Sequence, residues 1–376
     1  MVKTVFVGMS GGVDSSVSAL LLKGQGYKVI GVYMKNWSKD LPGMKCPWAE
    51  DLADAKRVAV KLGIDFEVWD FEEAYREKVV EYMLCEFRAG NTPNPDVMCN
   101  QEIKFKLFYE KAMRRGADFI ATGHYARIID GELARAVDEN KDQTYFLYRI
   151  SEEALAHTIF PIGEMKKPKV KKLAEKNGLH NAYKKESMGV CFVGEVGMKD
   201  FLKEYIDIRP GEIREIESEK VLGYHEGAVF YTIGQRHGLY LNGVAGEVND
   251  GLPYYVVKKD IKNNIVYVSK NLNDEHIWTE KLELTDVILR TGPAVAASPT
   301  VLGSRLRAAG DPSQLKSPVR VDVRLRHRAP LIPARITLGN NNAAVLEFEN
   351  EIKRPAAGQS AVIYDGEICL GGGIIG

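Results

Sequence analysis

The sequence predicts an α/β fold, a doubly wound parallel sheet followed by two β-rich modules, and three observations carry that prediction. Through the first two hundred residues, short β-branched runs alternate with longer stretches of helical apolar spacing, the pattern of a parallel sheet covered by helices on both faces. A glycine-rich turn at 9–12 joins the first run directly to an apolar helix. From about residue 211 the pattern changes to short strands punctuated by Gly and Asn, which reads as all-β. The 376 residues also exceed the roughly 250 to 300 at which a single core stops growing. The expected division is an α/β catalytic domain at 1–208, a small β-rich central domain at 209–272 and a C-terminal β-barrel at 273–376.

Taken in order, strands are expected at 4–8, 28–34, 66–69 and 119–122. Between them, 15–23, 51–62, 75–83 and 105–114 have the i, i+3, i+4 apolar spacing of amphipathic helices. In the β half, strands are expected at 254–258, 265–269 and 319–326, with a turn-like Asn-Leu-Asn-Asp at 271–274 marking the second boundary. The stretch 291–318 is rich in Ala, Ser, Gly and Pro without a sustained period, and is read as an insertion without chemistry.

Composition narrows the function. Lys and Arg number 51 and Asp and Glu 51, a formal net charge of zero, so nucleic acid can be attracted only by local basic patches. No apolar run approaches the roughly 20 residues of a membrane span, and the run 5–7 follows Met1 too closely to leave room for a leader. A cytoplasmic protein is expected. The five cysteines are scattered, with no CxxC pair. A structural zinc site or disulfide framework is therefore not expected, and a paired role for two of them would be catalytic.

The first candidate site is the turn Met9-Ser10-Gly11-Gly12-Val13-Asp14-Ser15-Ser16. Strand, glycine turn and helix start bring unpaired backbone N–H groups and the positive helix end to one point, which suits a phosphate. There is no GKS/T and no GxGxxG, so neither the Walker loop nor the dinucleotide fingerprint applies. SGGxDS instead resembles the PP-loop of the ATP pyrophosphatases, which split ATP to AMP and pyrophosphate while adenylating an oxygen. That resemblance assigns ATP to Gly8, Met9, Ser10, Gly11, Gly12, Val13, Asp14, Ser15 and Ser16, with Asp14 holding Mg²⁺ or orienting the loop. By analogy with other doubly wound sheets, adenine would lie near Met34 and Gly123, at the carboxyl ends of neighbouring strands.

The second site is a pair of cysteines. Pro93 and Pro95 are expected to hold the segment before Cys99 extended, placing Cys99 on a loop that leads into the helix near Phe105. A thiol near a helix N-terminus has its thiolate favoured. Cys191 follows Gly189 and the basic Lys184-Lys185, which also favours a thiolate. Cys46, Cys85 and Cys369 read as small buried hydrophobes.

With SGGVDSS, GVYMKNW, AEDLADA, TPNPDVMCNQEIKF, ATGHYAR, KDQTYFLY, FPIG, ESMGVCFVGE and YTIGQR in place, nearly the whole chain resembles the tRNA-specific 2-thiouridylases of bacteria and mitochondria. The resemblance implies that ATP adenylates the 2-oxygen of the wobble uridine, turning a poor leaving group into AMP. Asp96, three residues before Cys99, is the candidate acid/base for the base or the thiol. The resemblance implies that Cys191 carries the incoming sulfur as a persulfide, and that Cys99 attacks the persulfide bond, or releases sulfide for the attack, leaving a transient Cys99–Cys191 disulfide. It implies tRNA contacts at Asn94, Pro95, Asp96, Lys141, Asp142, Gln143, Arg326 and His327, and a cysteine desulfurase or sulfur-relay protein as donor. Met188 departs from the bacterial pattern, which has Thr there.

From the residues alone, other readings stay open for several of these positions. Asp96 also suits a cap on the turn after Pro95. Arg320, Arg324, Arg326 and Arg328 alternate with Val321, Val323 and Leu325, which a period of two reads as one solvent-facing basic stripe over a core. The lysine run 166–172 reads as a second basic surface. Competing functions are another PP-loop ligase that adenylates a small molecule, and an ATP-regulated tRNA-binding protein without catalysis.

Overall fold

Val5 and Val7 join one hydrophobic cluster and Phe6 the other, the two-residue alternation of a strand buried on both faces. This strand, β1 (Thr4–Gly8), lies at the centre of a five-stranded sheet with β2 (Lys28–Lys35), β3 (Asp65–Asp70), β4 (Phe119–Ala121) and β7 (Thr158–Ile159). The order is β3-β2-β1-β4-β7 and every pairing is parallel. The computed structural model describes residues 1–40, 46–185, 197–241, 253–271, 276–290 and 318–376.

On one face, Val17 and Leu22 of α1 (Val13–Gly24), Val58 of α2 (Trp48–Leu62) and Val170 of the helix Lys167–Lys176 pack over Val5, Val7 and Met9. On the other, Tyr75, Met83, Ile103 and Phe108 cover Phe6, Val32 and Trp69. The helix expected at 75–83 is part of a longer path through Glu72–Tyr75, Arg76–Val80 and Glu81–Arg88, with the middle piece wound as a π-helix.

The helix expected to begin near Phe105 begins ten residues earlier. Pro95–Met98 is α-helical, Cys99–Phe108 continues as a π-helix, and Tyr109–Arg114 completes it. Cys99 therefore lies inside helical backbone, not on a loop. Pro95 starts the helix because the first turn needs no N–H from it, and its fixed φ is already helical.

The central module is a four-stranded sheet ordered Tyr255–Asp260, Ile265–Ser269, Gly211–Glu215, Val221–His225. Ile213, Leu222, Val256, Val266 and Val268 form its own small core. After it, Trp278–Leu289, Ala344–Lys353, Ile332–Leu338, Val319–Arg324, Ser360–Asp365 and Ile368–Ile375 pair in that order, and the first closes on the last to make a six-stranded antiparallel barrel. The insertion at 291–318 lies outside the described residues except for its last position.

The α/β part and the barrel share structure. The hairpin β5 (Arg127–Ile129) and β6 (Glu132–Ala134) joins the barrel sheet through Ala134 and Ile368. The backbone N–H of Thr92 donates to Ala357 O at 2.8 Å, and Gln359 Nε2 donates to Thr92 O at 2.7 Å. Arg290, 5% exposed, donates to the carbonyls of Leu147, Tyr148 and Ile150.

Candidate active site

Gly12 ends the loop in an extended conformation, and no side chain caps α1 behind it. The first N–H groups of a helix need acceptors, and here they face the mouth of the turn. Gly11 has φ +79, and a Cβ on it would lie 2.4 Å from Asp51 O, so only glycine fits. The loop carbonyls are tied back: Gly12 O accepts Ser15 Oγ at 3.2 Å and Ser16 Oγ at 2.8 Å, and Gly11 O accepts Asn181 Nδ2 at 2.9 Å. Ser10 N in turn donates to Ser15 Oγ at 3.2 Å. With its carbonyls tied back and no side chain capping the helix behind it, the turn suits an anion, so the residues fit the phosphates of a nucleotide.

Asp14 is held by three bonds. Lys167 Nζ reaches Oδ1 at 2.8 Å and Oδ2 at 2.7 Å, and Tyr125 Oη donates to Oδ1 at 2.9 Å. Gly123 backs onto this point, since a Cβ there would meet Ser15 N at 2.6 Å. Met34 lies across the strand end, its Cε 2.9 Å from the place a Cβ on Gly8 would occupy. Gly8, Met34 and Gly123 thus converge at the carboxyl ends of β1, β2 and β4.

Lys167, expected with its neighbours on a basic surface, has a side chain only 8% exposed. Its signal was present: 167, 170 and 174 share one helical face, and Val170 and Ala174 are core. Tyr125 and Asn181 carried no signal, because only the tertiary fold brings them to the loop. Lys184, expected to favour a Cys191 thiolate, bonds Asp51 Oδ1 at 2.7 Å and Asp54 Oδ2 at 2.5 Å, so its charge is committed to α2. Cys191 itself lies outside the described residues.

Cys99 is 2% exposed, and Asp96 stands three positions before it, a neighbour on the helix surface. Burial pushes the Asp96 carboxyl up, partly offset by Lys104. Asn94, not Asp96, occupies the cap position, and no side-chain cap forms. His124 is sandwiched by Phe105 and Phe160 and pairs through Nδ1 with Thr122 Oγ1 at 2.8 Å. Burial, with Lys104 adding to it, holds its imidazole well below the usual range. Farther along the Cys99 helix, Phe108 lies 3.9 Å from the Cβ position of Gly8. Of the other cysteines, Cys46 and Cys369 are buried as expected, whereas Cys85 is exposed.

Three of the expected RNA-contact segments meet. The Asn94 side chain hydrogen-bonds the Tyr145 hydroxyl, and His327 packs on Phe146 at 4.5 Å and Tyr145 at 6.3 Å between ring centroids. Gln143 pairs with Tyr125 through backbone and side chain, each at 2.9 Å. Asp142 is 1% exposed and accepts Arg324 Nη1 at 2.6 Å, so its carboxylate is spent inside the protein. Arg324 accordingly leaves the supposed stripe: it is 5% exposed, while Arg320, Arg326 and Arg328 are exposed. The strand ends at Arg324, and the alternation that predicted one basic face ends with it.

A parallel sheet with an uncapped, glycine-built anion turn, joined to two β modules, defines a nucleotide-binding α/β enzyme architecture. Residues 3–195 match the family described as tRNA methyl transferase HUP domain, 199–270 the tRNA methyl transferase PRC-barrel domain, and 300–375 the aminomethyltransferase beta-barrel domain. The tRNA-specific 2-thiouridylase MnmA of Idiomarina loihiensis is 44% identical over 380 residues, covering 99% of this chain and 96% of that one. Its counterpart from Listeria monocytogenes serotype 4a is 44% identical over 375 residues, covering 99% and 94%. The chain belongs to the tRNA-specific 2-thiouridylase family. Among solved structures, a 4-thiouridine synthetase in complex with RNA and ATP is similar at 16% identity and a TM-score of 0.34, over 54% of this chain and 50% of its own. No helix among the described residues is long and apolar enough to cross a membrane.

Proposed function

We propose that this protein replaces the C2 oxygen of the wobble uridine of tRNA with sulfur, at the expense of ATP, in the cytoplasm. One observation carries the reading: the helical stretch that bears Asp96 and Cys99 packs against the strand that feeds the phosphate turn, Phe108 lying 3.9 Å from the Cβ position of Gly8. ATP would be held by residues 8–15 with Met34 and Gly123 at the base, Mg²⁺ arriving as its counter-ion, and it supplies the leaving group. Asn94, Pro95, Lys141, Gln143, Arg326 and His327 are assigned to the tRNA. Asp142 serves them by fixing Arg324 beneath.

In this reading the terminal sulfur of a Cys191 persulfide bonds to C2 as AMP departs. The Cys99 thiolate then attacks Cys191 Sγ and breaks the S–S bond, which leaves 2-thiouridine and a Cys99–Cys191 disulfide for an external thiol to reduce. Asp96, with its carboxyl pushed up by burial, is suited to hold or give a proton beside the base or the thiol. A cysteine desulfurase or relay protein reloads Cys191.

The test is the protein with tRNA, ATP, Mg²⁺ and a persulfide source, read by nucleoside mass analysis and nucleotide products. The expected products are 2-thiouridine, AMP and pyrophosphate. ADP and phosphate would remove the loop assignment, and full persulfide-dependent activity in a Cys99→Ser, Cys191→Ser double variant would remove the thiol chemistry.

A further inference from the structure

We infer that Asn181 is a positioning residue for the nucleotide phosphates, an inference that rests on the ATP half of the reading above. Asn181 is 2% exposed and lies 170 positions from the loop it serves. Its amide nitrogen has two hydrogens, and both are used on the turn: one on Gly11 O at 2.9 Å, the other on Ser16 Oγ at 2.9 Å. Ser16 Oγ passes the constraint on, donating to Gly12 O at 2.8 Å. One side chain therefore holds the Gly11 carbonyl directly and steadies the Ser16 hydroxyl that, with Ser15 Oγ and Ser16 N, holds the Gly12 carbonyl.

The amide does this at a cost to the interior. Its Oδ1 is buried without a hydrogen-bond partner, and an unmet buried acceptor costs about 1 to 3 kcal/mol. The same short segment is stapled behind the loop a second time: Lys184 and His180 both grip Asp54 of α2, and the backbone of α2 touches Gly11 at Asp51. Gly11 is thus clamped from two sides, and Asn181 sets which way its peptide faces.

Full-length Asn181→Ala, Asn181→Asp and Asn181→Thr variants would be titrated with inorganic pyrophosphate and with ATP·Mg by calorimetry, alongside tRNA binding, thiolation and thermal melting. A Leu346→Ala variant, which thins the barrel core away from the loop, controls for stability. Asn181→Ala is expected to weaken both anions by about tenfold, the worth of one or two hydrogen bonds, with tRNA affinity unchanged. Asn181→Asp should weaken them further, because a carboxylate cannot donate to Gly11 O. Asn181→Thr, which regains one donor, should recover part of the loss and stands in should the alanine variant fail to fold. Pyrophosphate affinity within twofold of the parent in folded Asn181→Ala, or an equal loss in Leu346→Ala, overturns the inference. A parent that binds ATP and pyrophosphate without thiolating tRNA overturns the proposed reaction alone, and a parent that binds neither overturns both.

Discussion

Arg324 and Asp142 meet beneath the surface, Nη1 to Oδ2 at 2.6 Å with side chains 6% and 0% exposed, and tie the barrel to the segment before Tyr145. The guanidinium also lies over the Tyr364 ring at 5.2 Å. Removing one member of such a pair strands a buried charge, whereas removing both does not. Arg324→Met should therefore cost about 3 to 5 kcal/mol, and Arg324→Leu with Asp142→Leu distinctly less. Urea denaturation of the three proteins checks this, and a single variant no worse than the double would show that the pair is not coupled.

Gly11→Ala meets two obstacles at once, a positive φ and a Cβ 2.4 Å from Asp51 O. The turn must open or α2 must move, so pyrophosphate and ATP binding should be lost while the far barrel is untouched. Calorimetric titration beside a circular-dichroism melt separates loss of the site from loss of the fold. Retained pyrophosphate affinity would mean the turn does not hold phosphate.

Lys167 supplies the only cation on Asp14 among the described residues. In Lys167→Met the carboxylate keeps Tyr125 alone and stands as a bare anion at the mouth of the loop, so ATP affinity should fall about tenfold or more, as for a charged hydrogen bond lost. Asp14→Asn added to Lys167→Met should restore part of it. A double-mutant cycle in nucleotide affinity reads the coupling, and additive effects would separate the two residues.

Burial, reinforced by Arg328, brings the His327 imidazole down to about 4. Between that value and the ordinary 6.5 or so, the unfolded chain takes a proton there and the folded one does not. Its contribution to stability is therefore whole above about 6.5, declines as pH falls toward 4 and is level below. His327→Phe should flatten this part of the pH–stability curve relative to the parent, as measured by thermal melts from pH 7 to 4. Parallel curves would place the imidazole in water.

The parts of this protein that local rules govern were legible in its sequence. Alternation in 4–8, the glycine turn at 11 and 12 and the helix after it need only neighbouring residues, and β1 and α1 stand where expected. Pro95 misled because the same ring that breaks a helix interior suits its first turn, and the residues before it did not distinguish the cases. Arg324 misled because period two assigns a face, not what covers that face: its place against Asp142 depends on a contact 182 positions away. Asn181 and Tyr125 were silent for the same reason.

The hairpin β5–β6 has a consequence in time. Ala134 leaves the ribosome first, and its partner Ile368 is 234 residues (368 − 134) behind it. At about 5 to 20 residues per second, these residues take roughly 12 to 47 seconds. Throughout that interval a strand edge whose Leu133 and Ala134 are fully buried in the finished protein has no sheet to complete, and an unpaired apolar edge invites pairing with other chains. A nascent fragment halted before the barrel should therefore be the form of this protein most dependent on a holding chaperone, a dependence that ends once the strand Ile368–Ile375 is made.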